Sequence, residues 1–189
     1  MLTTPTSTKD KLLRAALEIG ARDGLEAATT AAIAAKAGVA EGTLYRHFPS
    51  KDDLLIEVYR GIKRKIFEAI SDGEAGGEAP DARLKRVWRK LYDAYRGDDE
   101  AFMFGQRFAE SSLSKREGGA AHEQIAGAVG RLRQAGVERG LFKDLPGDLL
   151  GNLFFAPVGH MLKTELKGRR WTDAELEATA EAVLDSWRA

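Results

Sequence analysis

The chain has 189 residues, 43% of them hydrophobic, with 29 Lys/Arg balanced by 29 Asp/Glu and no Cys. This is the composition of an ordinary globular protein of one or two domains, and it excludes a disulfide framework, a thiolate nucleophile and any Cys-based zinc site. No apolar run approaches the roughly 18 residues of a membrane span, and MLTTPTSTKDK carries no hydrophobic signal region, so the expected location is cytoplasmic with no membrane partner.

Helical signals dominate: five Pro, abundant Ala, Leu, Glu, Lys and Arg, and no alternating strand pattern. The fold class read from this pattern is all-α, with about nine helices. The first runs from about Thr8 to Asp23, with Leu13, Ala16, Leu17 and Gly20 on one stripe, and Gly24 ends it. A short second helix is capped by Thr29 or Thr30 and buries Ile33, Ala34 and Ala37. A third spans about Ala40 to His47. The fourth starts after Ser50, whose hydroxyl caps it while Asp52 and Asp53 suit the positive end of its dipole, and reaches about Ile70. SDGEAGGEAP, residues 71–80, reads as a linker with three Gly and a closing Pro. The fifth helix carries Leu84, Val87, Trp88, Leu91, Tyr92 and Tyr95 at helical spacing, and the sixth holds Phe102, Met103, Phe104 and Phe108. The seventh covers about His122 to Arg139, the eighth Pro146 to Leu166, and the ninth Thr172 to Trp187.

Helices two and three, joined by Gly38-Val39, have the helix-turn-helix pattern. At about 100° per residue, Leu44 and Phe48 share one side of the third helix and Gly42 and Arg46 the other, with Thr43 and Tyr45 flanking them. Nothing on that outward face serves a core. Gly42 lets a backbone approach a groove wall. Thr43, Tyr45 and Lys51 suit phosphate, Arg46 suits guanine or phosphate, and Glu41 is able to accept from a cytosine amine. Charge distribution agrees: residues 1–65 carry 11 Lys/Arg against 8 Asp/Glu, and the remainder 18 against 21.

TTAAIAAKAGVAEGTLYRHFPSKDDLL, residues 29–55, resembles the DNA-binding segment of the TetR family of bacterial transcriptional regulators. The matching positions are Thr30, Ile33, Ala34, Ala37, Gly38, Val39, Gly42, Thr43, Leu44, Tyr45, His47, Phe48, Ser50 and Lys51. The resemblance implies a ligand-responsive repressor whose homodimer binds a palindromic double-stranded DNA operator and is released by a small-molecule effector. It also implies phosphate or sugar contacts from Thr30, Thr43, Tyr45, His47 and Lys51, and base-edge positions at Ala31, Glu41, Gly42 and Arg46. Ala31 and Ala32 depart from the family in being small, which shifts readout to the stretch from Glu41 to Arg46. On this reading residues 1–55 form the DNA-binding domain, helix four (about 51–70) connects, and residues 71–189 bind the effector and dimerise.

In the C-terminal part, Pro157 interrupts the eighth helix and is expected to bend it. Aromatic and apolar groups around it suggest a pocket for an apolar or aromatic effector: Trp88, Tyr92, Phe102, Phe104, Phe108, Phe154, Phe155, His160 and Met161, with Gln106, Arg107 and Glu110 as further polar groups. Broad apolar stripes on the last two helices suit an intermolecular four-helix bundle, with Leu150, Phe154, Leu176, Val183, Leu184 and Trp187 as interface candidates; the resemblance implies a homodimer built this way. His47, His122 and His160 are scattered and no HExxH, GxSxG, P-loop or strand-borne GxGxxG occurs, so neither an enzyme, a metal nor a cofactor is expected. The alternative is a helical adaptor that binds a protein or ligand without reading DNA.

Overall fold

The computed structural model describes residues 7–71 and 77–189; residues 72–76, the middle of the linker expected at 71–80, lie outside them. Among the described residues there are ten helices and no strand, only an isolated bridge between Phe142 and Arg188. The chain divides into two compact units, residues 1–64 with 98–121 and residues 65–97 with 122–189.

The first unit holds α1 (Thr8–Arg22), α2 (Thr30–Ala37), α3 (Glu41–Tyr45), the start of α4 (Lys51–Ser71), α6 (Asp99–Glu110) and α7 (Ser112–Glu117). Ser7 and Asp10 form a reciprocal capping box that starts α1. Leu12, Ala16, Leu17 and Gly20 turn inward from it; the expected Leu13 is only half-buried, one position off the stripe. A Cβ on Gly20 would come within 2.7 Å of the Phe104 ring, so the glycine is what lets α6 lie against α1. Phe104 and Phe108 are completely buried, and Phe108 stacks on Tyr59 of α4 at 4.1 Å between ring centroids.

The six-residue α7 was not anticipated. It brings Arg116 to Asp52 (2.8 Å) and Asp53 (2.9 Å) in the first turn of α4. Beside it the buried carboxylate of Glu117 accepts from Arg60 Nε at 3.2 Å. Burial there pushes Lys63 down to about 8, with Glu117 opposing the shift, and pushes Tyr59 up to about 12, with Glu117 adding to it.

The second unit holds the end of α4 with α5 (Pro80–Tyr95), α8 (Ala120–Glu138, from His122 on), α9 (Gly147–Glu165) and α10 (Asp173–Trp187). Pro80 opens α5 at its first turn, where a missing N–H costs nothing. Trp88 and Tyr92 are fully buried; the Trp88 indole donates to the Phe154 carbonyl at 3.1 Å, joining α5 to α9. α9 stays helical across Pro157. Phe142 crosses Gly136 so closely that a Cβ there would lie 1.9 Å from its ring, and it meets Trp187 edge-on at 5.7 Å.

Candidate nucleic-acid interface

The α2–α3 segment is shaped by a few local choices. Thr29, not Thr30, caps α2: its hydroxyl accepts from the Ala32 N–H at 3.2 Å. Gly38 closes the helix in the left-handed region (φ 69°), and Val39 N–H bonds the Ala34 carbonyl at 3.0 Å, which is the glycine C-cap geometry. The chain thereby turns sharply into α3, which is shorter than expected, Glu41–Tyr45, with Arg46 and His47 in the following turn. Leu44 and Phe48 are the inward anchors, at 0% and 5% exposure.

Everything else on α3 faces out. Glu41, Gly42, Tyr45, Arg46 and His47 are exposed, Tyr45 at 57%, and Thr43 is half-buried. A large aromatic in water costs hydration free energy unless something else covers it. Gly42 has nothing within 4 Å of where its Cβ would be, so no internal packing demands glycine there; it leaves the outer surface of the helix flat. Arg46 and Lys51 pair with no carboxylate among the described residues. Lys51 is the first residue of α4, where Ser50 accepts from the Asp53 N–H at 3.1 Å and so fixes the helix start. The resulting surface offers two unneutralised cations, two hydroxyls and a bare backbone patch, which is the chemistry of phosphate grip with room for close approach.

One contact within this surface is not visible in the sequence. Thr30, free of capping duty, donates its hydroxyl hydrogen bond to Glu41. The first residue of α2 is tied to the first residue of α3, and the one acidic group of the reading helix is held by a side chain of the same surface.

Residues 12–58 match the sequence profile described as bacterial regulatory proteins, tetR family. The HTH-type transcriptional repressor KstR2 of Mycolicibacterium smegmatis is 45% identical over 90 residues, 48% of this chain and 44% of that protein. A TetR family transcription regulator from Marinobacter aquaeolei VT8 superposes with a TM-score of 0.87 at 25% identity, over 96% of this chain and 95% of the other. Residues 12–58 match the TetR family, and the fold is that of solved TetR-family regulators. The fold alone is also shared with the regulator FadR from Bacillus subtilis, solved in complex with stearoyl-CoA (TM-score 0.77, 21% identity, 93% of this chain and 95% of that one). The chain spans about half the length of the curated relatives it matches.

The expected contact residues are accessible, apart from the anchors beneath them: Thr30, Ala31, Glu41, Gly42, Thr43, Tyr45, Arg46, His47 and Lys51 are all exposed or half-buried. The expected effector set is divided between the two units. Phe102, Phe104 and Phe108 belong to the first unit, whereas Trp88, Tyr92, Phe154, Phe155, His160 and Met161 belong to the second. Arg107, expected to orient a ligand, instead donates to the carbonyls of Gly20 and Arg22, both at 3.3 Å, and closes the end of α1.

The expected interface residues need correction. Leu150, Phe154, Leu176, Val183, Leu184 and Trp187 are each at most 6% exposed and fill the core of their own protomer, leaving no surface for a partner. The apolar stripes on α9 and α10 are broad because they pack on α5 and on each other. What these helices leave uncovered is Leu149 and Leu153 (46% and 42% exposed) with Ala156 on α9, and Ala174, Ala178 and Ala182 on α10.

Proposed function

We propose that this chain is a ligand-responsive transcriptional repressor that binds a palindromic operator as a homodimer and is released when an apolar effector binds its second unit. The observation that carries the reading is the outward surface of α3. A five-residue helix anchored by two apolar side chains presents Tyr45, Gly42 and an unpaired Arg46 to solvent, with Lys51 beside it. Two such helices related by a two-fold axis would enter successive major grooves. KstR2, the 45% identical relative, is itself a repressor. FadR, which shares the fold, is solved with stearoyl-CoA, whose acyl chain is apolar, and this supports an effector with an apolar part.

The dimer surface we assign to the exposed faces of α9 and α10, which carry Leu149 and Leu153 on α9 and three alanines on α10, Ala174, Ala178 and Ala182, small enough for close helix approach. Replacing both leucines by Asp is expected to give a monomer in sedimentation velocity with an unchanged circular dichroism spectrum; a variant that still dimerises places the interface elsewhere.

The functional test is a gel-shift titration, with DNA from upstream of its own gene and a scrambled duplex, at several salt concentrations. A repressor gives a complex specific to the natural DNA whose affinity falls steeply with salt. Equal affinity for both duplexes across a genomic fragment pool would refute the reading.

A further inference from the structure

Within the second unit a groove of about 430 Å³ runs between α8 and α9, inside the range of about 300–1,000 Å³ typical of small-molecule sites. Its walls include Gly130, Gly147 and Gly151, and a Cβ on any of them would meet nothing within 4 Å. Gly130 and Gly151 lie inside helices, where glycine is less stable than alanine. No neighbour's packing requires them. They leave the groove open.

The groove also has a distinct floor and one prepared charge. Phe155 is its aromatic surface, backed by the buried Trp187, whose indole N–H has no acceptor among the described residues. Arg133 is fixed from behind: Nε and Nη2 donate to the Leu145 carbonyl at 3.1 and 2.6 Å, and Nη2 to Asp144 at 2.8 Å. Its Nη1 has no partner among the described residues. A guanidinium already immobilised this way loses little further freedom on binding an anion. Asp144 offsets part of its charge and Asp148 stands on the groove wall, so the site suits a singly charged carboxylate better than a phosphate dianion.

We propose that this groove binds a small carboxylate with a flat apolar body, the rings lying on Phe155 and the carboxylate meeting Arg133 Nη1. That such binding releases DNA rests on the repressor reading; the binding itself does not, and is tested apart from DNA.

The test is calorimetric titration of the full chain with 1-naphthoate and with neutral 1-naphthylmethanol. The acid is expected to bind one per chain, at least tenfold tighter than the alcohol. Gly151→Leu, which fills the groove from an uncrowded position, should weaken the acid at least thirtyfold with unchanged circular dichroism and sedimentation. Arg133→Gln should remove the preference for the acid. Absence of binding up to millimolar naphthoate, equal binding of acid and alcohol, or full binding by Gly151→Leu would each overturn the proposal. So would a Gly151→Leu chain whose association state changes, since a second copy would then cover the groove. If Arg133→Gln fails to fold, the Gly151→Leu comparison decides. A chain that shifts operator DNA yet ignores naphthoate refutes this site alone; one that binds naphthoate yet never shifts DNA refutes the repressor reading alone.

Discussion

Replacing Lys51 by Ala gives a quantitative test of the surface around α3. Arg46 and Lys51 are the full positive charges of the expected contact set, and neither is neutralised by a carboxylate among the described residues. In a dimer that makes four. Each phosphate neutralised contributes about −0.9 to the slope of log K against log salt, so four contacts give a slope of about −3.6. Between 50 and 200 mM salt the intact protein should therefore lose about 150-fold in affinity. Lys51→Ala removes two contacts, leaving a slope of about −1.8 and a loss of only about 12-fold over the same range. Fluorescence anisotropy with a labelled duplex at four or five salt concentrations measures both slopes, and Lys51→Arg should restore the steep one. A Lys51→Ala chain that binds more weakly with an unchanged slope would refute the assignment: Lys51 would then act through the seating of α4 rather than on phosphate. The same experiment sorts Arg46. A phosphate contact loses slope on every sequence, whereas a base contact mainly loses discrimination between operator and scrambled DNA.

Gly136→Ala should destabilise the second unit by up to about 2 kcal/mol, because moving the Phe142 ring costs about 1–3 kcal/mol of overpacking against about 1 kcal/mol of gained helix propensity; a raised urea midpoint would contradict the close crossing. Lys63 and Tyr59 give stability an alkaline signature. From about pH 8 to its ordinary 10.5, Lys63 is more protonated in the unfolded chain, so stability rises with pH. From about 10 to 12, Tyr59 keeps its proton only in the folded chain, so stability falls. Urea unfolding between pH 7.5 and 11 should show the rise lost in Lys63→Met and the fall lost in Tyr59→Phe. Thr29→Ala should cost about 1 kcal/mol as a lost helix cap without weakening DNA binding by the folded fraction, while Thr30→Ala should weaken binding on all sequences; the opposite pattern in paired melting and gel-shift data would mean the cap is Thr30.

Periodicity made most of the fold legible, because α1, α4, α5, α9 and α10 each bury one continuous stripe, and stripes are written in spacing. It failed where spacing is ambiguous or absent. Six residues of α7 are too few to show a period, yet Arg116 and Glu117 fasten it to α4 by charge. The apolar stripe of α9 does not say what lies against it: Leu150 and Phe154 face their own protomer, and the surface left over is one residue away, at Leu149 and Leu153. Phe104 reads as an available aromatic until Gly20, 84 positions earlier in the sequence numbering, is seen to be the hollow it fills.

The reading surface was legible for a different reason. A core cannot explain Tyr45, Arg46 and Gly42 on one short helix, and a residue that no core explains points outward. The pairing of Thr30 with Glu41 was hidden, since it joins positions eleven apart across a turn. It changes how the surface works. Glu41 keeps acceptor sites for a cytosine amine while Thr30 is bound to it, but Thr30 has one hydroxyl proton and cannot donate to a phosphate while Glu41 accepts it. On the proposed reading, a phosphate that takes the Thr30 hydroxyl would break this bond. Thr30 would then meet DNA by exchanging one partner for another, whereas Arg46 and Lys51, with no carboxylate partner among the described residues, would have none to give up.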